Sequence, residues 1–370
     1  MKIAYLYLPH RIERLPLVSS GKCPTEFFYG AIELRQMGHH VGLFEVIEKP
    51  RRSMTKYIAE KFLSMKYLPP KVHVGMLDAV GLLLPKLGGY EVLVGTTSDI
   101  SLSLGIWRRL GKLPKEILGI QCGLLNYGQN AIRNMLTGVV LKQIHSQIFG
   151  YGELNGILQT YRADPRRVEV NLFGVDERFW SPAKIKYSEE YVLSLGSDAR
   201  RDFDTLVRAA RRHPQTRFLI ITKRTLKAAP PENVQVIRSS WGSREIDDLA
   251  LRRLYRRAAC VVVPLRPTIQ PSGQSVALQA MACEKPVILT RTAGLWENRN
   301  LKDGENIRFV PPGDHRTLSE ALSEILKGQI LRSRLGRKGR QYVMSHARID
   351  FFARRIEKRC RLLMEKQDVA

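Results

Sequence analysis

The residues best placed to do chemistry lie in one run, Pro271-Ser272-Gly273-Gln274-Ser275-Val276-Ala277-Leu278-Gln279-Ala280-Met281-Ala282-Cys283. An apolar, strand-like stretch at 260–265 precedes it, and the spacing predicts a helix from Ser275. A helix start at the carboxyl end of a parallel strand presents free backbone N–H groups and a positive dipole end, which together make an anion site. Open α/β sheets bind their ligands along that edge. Gly273 would let a diphosphate approach the backbone closely. On this stretch alone, a plain serine N-cap reads the same way.

The elements that must position this loop recur along the chain. Buried strands are expected at 3–8, 41–46, 92–95, 117–119 and 168–172, with a helix over 25–37 closed by Gly38. Past a connecting segment near residue 180, the alternation restarts: strands at 191–195, 217–221, 234–237, 260–265 and 286–289, helices from Asp204, Asp247 and Ser275. Such βα grammar implies parallel sheets covered by helices. Nothing repeats at a fixed period, which excludes a solenoid. The stretch 332–366 holds twelve Lys or Arg against Asp350, Glu357 and Glu365, with Ile349, Phe352, Ile356 and Leu363 at helical spacing, and reads as one or two amphipathic helices.

The neighbours of the 271–283 run sharpen its meaning. Pro286-Val287-Ile288-Leu289-Thr290, Gly294, Glu297, Asp303-Gly304-Glu305-Asn306 and Phe309-Val310-Pro311-Pro312-Gly313-Asp314 follow closely, and Gly174-Val175-Asp176 precedes with Phe179 and Pro182. Together these resemble the donor-binding half of family 4 glycosyltransferases, retaining enzymes of the GT-B fold. The resemblance covers 168–345 well and 1–50 in outline. It implies an α/β fold of two Rossmann-like doubly wound domains with a cleft between them. An acceptor-binding domain would span 1–180 and a nucleotide-sugar domain 181–345, with a terminal helix over 346–370 packing back on the first.

The resemblance also assigns roles. Gly273, Gln274, Ser275 and Val276 would cradle the donor diphosphate and sugar, and Gln279 would meet the ribose hydroxyls. Gly196, Ser197, Arg200, Arg201 and Lys223 would surround the phosphates. Arg201 and Ser272 are the residues assigned to catalysis. A cation beside a departing diphosphate stabilises charge that grows as the bond breaks. The leaving phosphate would itself take the acceptor proton, and neither a metal nor a resident cofactor is implied. The chain departs from the family in one respect: the two glutamates of the donor motif are replaced by Ser272 and Gln279, with six residues between. Glutamine can still donate and accept. The family's N-domain histidine has no counterpart at Gly95-Thr96-Thr97-Ser98-Asp99 or Gln121-Cys122-Gly123, and His10 and His145 read as surface or packing residues. A sugar-nucleotide epimerase, or a GT-B protein that binds without turnover, stays open as an alternative.

Composition bounds the partners. The chain has 370 residues, a hydrophobic fraction of 44% and a net charge of +25, which speaks to partners rather than fold. Nucleotides, phosphorylated glycans and anionic membranes all fit. Nucleic acid does not, because the charge comes without a binding motif or interleaved aromatics. Residues 51–71 carry six Lys or Arg against Glu60, with Met54, Ile58, Phe62 and Met65 at helical spacing, as a basic amphipathic segment touching lipid would. Five scattered cysteines show no disulfide or zinc spacing. With no apolar run of about 18 residues, the expected location is the cytoplasm, at the inner face of the membrane where one is involved.

Overall fold

The computed structural model describes residues 1–48, 68–69, 71–125, 130–183, 191–239 and 246–365. Most of the basic 51–71 stretch, with Met54, Ile58, Phe62 and Met65, lies outside the described residues. Contacts divide the chain into two units. One comprises Met1–Pro16, Phe27–Leu172 and Phe352–Ala370, the other Leu17–Glu26 and Phe173–Phe351.

The first unit is built on a parallel sheet of β1 (Lys2–Tyr7), β2 (His40–Glu45), β3 (Val92–Gly95), β4 (Glu116–Gln121), β5 (His145–Ile148) and β6 (Val168–Val170), in the order β2-β1-β3-β4-β5-β6. Its covering helices are α1 (Ala31–Gln36), α2 (Val74–Gly81), α3 (Ser98–Arg109), α4 (Ala131–Leu141) and α5 (Tyr151–Tyr161). Strand β1 past Lys2, strand β3 and the centre of β4 are buried and read as near-continuous apolar runs. Leu6, Leu93, Ile117 and Ile148 meet Met76, Val80, Ile100, Leu104 and Val140 in one core. Helix α1 is shorter than the 25–37 expectation. Tyr29 (φ 52°) and Gly30 (φ 85°) leave the right-handed helical region, and the chain turns before the helix begins at Ala31.

The second unit repeats the plan with β7 (Tyr191–Leu195), β8 (Phe218–Ile221), β9 (Val234–Ile237), β10 (Ala258–Val263), β11 (Val287–Thr290) and β12 (Arg308–Val310), all parallel, in the order β12-β11-β10-β7-β8-β9. Its helices are α6 (Phe203–Ala210), α7 (Asp248–Arg257), α8 (Gln274–Ala282), α9 (His315–Lys327) and α10 (Gln329–His346). Aspartates cap three of them. Asp202 accepts from Thr205 N at 3.3 Å, Asp247 from Ala250 N at 2.6 Å and Asp314 from Arg316 N at 3.0 Å, satisfying N–H groups that have no partner within the helix. Sheet residues Phe218, Ile220, Val262 and Ile288 pack with Leu206, Val207, Leu318 and Leu322. Strands β7, β8 and β9 run outward one way and β10, β11 and β12 the other, so the order reverses between β7 and β10.

The last helix, α11 (Ile349–Glu365), belongs to the first unit from Phe352 onward. There Phe352, Ile356 and Leu363 are buried, Arg355 Nε donates to Asn171 Oδ1 at 2.6 Å and Arg359 pairs with Glu169 at 2.7 Å. The apolar stripe of this basic tail is therefore core. Among the described residues, no helix is long and apolar enough to cross a membrane.

Candidate functional site

The reversal of strand order between β7 and β10 opens a crevice at the carboxyl ends of these strands, where doubly wound sheets bind ligands. The loops leaving the two strands are joined there. Arg201 bridges Leu265, Asp202 N donates to Pro264 O at 3.0 Å, and Arg266 N donates to Arg200 O at 2.8 Å. The loop after β8 joins them, with Lys223 N donating to Ser197 Oγ at 3.0 Å. The Lys223 side chain itself is exposed.

Arg201 occupies the centre of this junction. It is 4% exposed, and its guanidinium lies between Gly196 and Gly273. A Cβ on Gly196 would fall 2.3 Å from Arg201 Nε, and one on Gly273 would fall 2.8 Å from Arg201 Nη1. Both glycines also have positive φ, 134° and 72°, so a side chain at either position is opposed by backbone conformation and by space. Asp198 Oδ2 lies 2.8 Å from Arg201 Nε, while Nη1 has no hydrogen-bond partner among the described residues. Burying a guanidinium with an unanswered donor is costly unless a ligand completes it. Burial alone would raise the Asp198 carboxyl. Arg201, the Ser272 hydroxyl and Arg200 N hold it below its usual value instead.

Helix α8 starts at the same crevice. Its N-cap is Gly273 in the left-handed region, and no side chain caps it. The sequence alone allowed a serine cap here, and the structure removes that reading. The first-turn N–H groups of Ser275 and Val276 have no partner within the helix. They sit beside the Arg201 guanidinium, and together these donors can hold a diphosphate or a comparable anion. Ser272 Oγ donates to Asp198 Oδ1 at 2.9 Å, and Arg200 Nε donates to Thr268 Oγ1 at 2.9 Å, fixing the two loops against each other.

Gln279 has a different set of partners from the ribose diol that the resemblance assigns it. It is 2% exposed. Its Oε1 accepts from Tyr255 Oη at 3.0 Å, and its Nε2 donates to Glu26 Oε1 at 3.0 Å. Glu26 also accepts from Trp180 Nε1 at 2.7 Å and from Asp176 N at 3.1 Å. Burial, together with the nearby Asp176 carboxylate, pushes the Glu26 carboxyl up to about 8. Asp176 in turn accepts from Arg178 N, Phe179 N and Thr25 N. The 174–182 motif therefore ties the Leu17–Glu26 segment into this unit. Glu26, Trp180, Tyr255, Thr268 and the role of Asp198 escape sequence reasoning. The one local signal was an aspartate within the Gly196-Ser197-Asp198 strand end.

In the first unit, the chain just past β3 and just past β4 is hydrogen-bonded together. Cys122 N donates to Ser98 Oγ at 2.9 Å, and burial pushes the Cys122 thiol up to about 12, which disfavours its thiolate. His10 is exposed on a surface turn, and His145 is buried at the start of β5.

Comparisons with known proteins fit this geometry. Residues 190–328 match the family model described as glycosyl transferases group 1. An uncharacterized glycosyltransferase of Methanocaldococcus jannaschii is 33% identical over 101 residues. That match spans 27% of this chain and 27% of the relative. Sucrose-phosphate synthase of Thermosynechococcus elongatus superposes with a TM-score of 0.71 at 18% identity, covering 99% of this chain and 100% of that one. Anabaena HepE in complex with UDP and glucose gives 0.68 at 12% identity, covering 97% and 98%. The chain therefore has the GT-B fold, and the stretch that matches the group 1 glycosyltransferase model lies within its second unit.

Proposed function

We propose that the protein moves a sugar, with retention, from a nucleotide-diphosphate donor held by the second unit to a glycan or lipid-linked acceptor, in cell-envelope or polysaccharide synthesis. The observation that carries this reading is the buried Arg201 guanidinium, with Nη1 unpartnered, beside the uncapped start of α8. Charge accumulates on the diphosphate as the glycosidic bond breaks. A preorganised cation and backbone N–H groups favour that state over the ground state. The departing phosphate then takes the acceptor proton, so the chain supplies no base, and no metal or resident cofactor enters the scheme. HepE's complexes with UDP and with glucose make UDP-glucose the first donor to try. The engagement of Gln279 inside the fold favours one second reading, a protein that binds nucleotide sugar without turnover.

Calorimetry with UDP, GDP and ADP, followed by mass-spectrometric screening of their sugars for hydrolysis and transfer, tests both. At least one nucleoside diphosphate should bind. Arg201→Ala should weaken it by roughly 1.5–3 kcal/mol, about ten- to hundredfold, as for a charged hydrogen bond. Unchanged affinity would remove Arg201 from the site. Binding without turnover of any donor would favour the second reading, and no binding at all would sink both.

A further inference from the structure

The amide of Gln279 is held from both ends, and the two ends make opposite demands. Tyr255 Oη donates to its Oε1, and Glu26 accepts from its Nε2, each at 3.0 Å. Only a side chain that accepts at one end and donates at the other satisfies both neighbours. Glutamate at 279 could still accept from Tyr255. It would place a second carboxyl against Glu26, which is fully buried. Two carboxyls that close and shut away from water cannot both ionise and would have to share a proton. No cation makes a hydrogen bond or ion pair to Glu26 among the described residues. The groups facing it are the Asp176 carboxylate and backbone N–H, the Trp180 indole, and Gln279 with Tyr255 behind it.

The network is rigid as well as specific. Trp180 is fully buried, with its ring edge-on to Tyr255 at 5.6 Å. Tyr255 lies on α7 and Gln279 on α8. Gln279 sits on the second turn of a nine-residue helix whose first turn opens at the crevice beside Arg201. A shift of this side chain moves the helix end with it. We propose that Glu26 is a positioning residue for α8: it dictates glutamine at 279 and thereby sets where the helix presents its N-terminus to the diphosphate. The coupling of Glu26 to Gln279 rests on a hydrogen bond within the protein. Only its consequence for the helix end rests on the donor-site reading.

The test uses full-length protein and three variants: Gln279→Glu, Glu26→Gln and the exchange of the two together. Thermal midpoints are followed from pH 6 to 9 without ligand, and UDP, GDP and ADP affinities are measured at pH 8. Gln279→Glu should lose thermal stability, relative to the unsubstituted protein, increasingly as pH rises, because its carboxyl pair must give up a shared proton. The exchange should abolish that slope and recover more than half of the loss at pH 8, since residues in direct contact do not act additively. Diphosphate affinity should fall about tenfold in Gln279→Glu and return to within about threefold in the exchange. Parallel pH profiles with no recovery in the exchange would overturn the coupling and leave the donor site untouched. Recovery of stability with diphosphate affinity unchanged throughout would overturn the positioning role. Failure of the unsubstituted protein to bind any nucleoside diphosphate would overturn the donor reading and the positioning role together, and the thermal data alone would then decide the coupling.

Discussion

Arg201 and His145 are both buried and both lie beside other charges, yet their surroundings put them to opposite uses. Around Arg201 the partners are incomplete, and the unanswered Nη1 is what an anion would satisfy. His145 Nε2 lies 3.1 Å from Arg167 Nη1, and burial together with that guanidinium lowers its pKa to about 4. It is therefore neutral in the fold, an acceptor for Arg167. The unfolded imidazole titrates near 6.5, so between that value and about 4 the unfolded chain binds more protons. Stability is then complete above pH 6.5 and is lost as pH falls toward 4. His145→Gln keeps an acceptor for Arg167 but cannot take up the proton. Its thermal midpoint should fall less than that of the unsubstituted protein between pH 6.5 and 4, and parallel profiles would place the acid sensitivity elsewhere. Residues of the site differ in how readily sequence exposes them. Gly196, Arg201 and Gly273 announce themselves locally, as glycines and a cation just past apolar strands. Glu26 does not, because its partners Asp176 and Gln279 lie 150 and 253 residues further along the chain.

Elements were readable where burial and composition agree. Strands β8 and β10 are apolar throughout, β7 is apolar but for Ser194, and all three lie where their runs predict, within two residues at either end. Helix α3 and strand β5 show the limit. Ser98, Ser101 and Ser103 are buried on α3, and the last two return their hydroxyls to carbonyls of the preceding turn, Ser101 to Thr97 O and Ser103 to Asp99 O, each at 2.7 Å. A serine satisfied in this way packs like a small apolar residue but does not look like one. Strand β5 reads His-Ser-Gln-Ile, yet every residue is buried. Only tertiary context makes it a strand. At the same scale, the turn into α8 makes a sharp prediction. Gly273→Ala forces a side chain into φ 72° and puts its Cβ 2.3 Å from Val263 Cγ1. The left-handed conformation alone costs about 1–2 kcal/mol. The thermal midpoint should therefore drop by roughly 2–8 °C, and nucleoside diphosphate affinity should fall with it. A midpoint and an affinity both unchanged would mean that the loop before α8 has room to move, and that its observed shape does not define the anion site.

The whole molecule carries +25, more than one diphosphate site accounts for. The structure narrows where the excess can act. The terminal helix α11 buries its apolar stripe in the first unit, and Arg355 and Arg359 are engaged with Asn171 and Glu169. That leaves residues 51–71, with a net charge of +5 on a segment of alternating basic and apolar character, as the better candidate for an anionic surface. We expect peripheral binding to anionic bilayers through this segment, in keeping with a membrane-borne acceptor. Each basic residue near such a surface contributes about 1 kcal/mol, so three or four together give reversible attachment without a membrane-spanning helix. The competing account is that these residues meet phosphates on a freely dissolved glycan. Ionic strength does not separate the two, since both weaken as salt rises. Vesicle composition does. The protein should co-sediment with vesicles rich in anionic lipid and not with neutral ones. Changing Arg52, Lys56, Lys61 and Lys66 together to Ser should move it to the supernatant, while nucleoside diphosphate affinity stays as it was. Equal recovery from the supernatant with both vesicle types would end the membrane proposal. Loss of diphosphate binding in the same variant would instead place the segment's charge at the donor site.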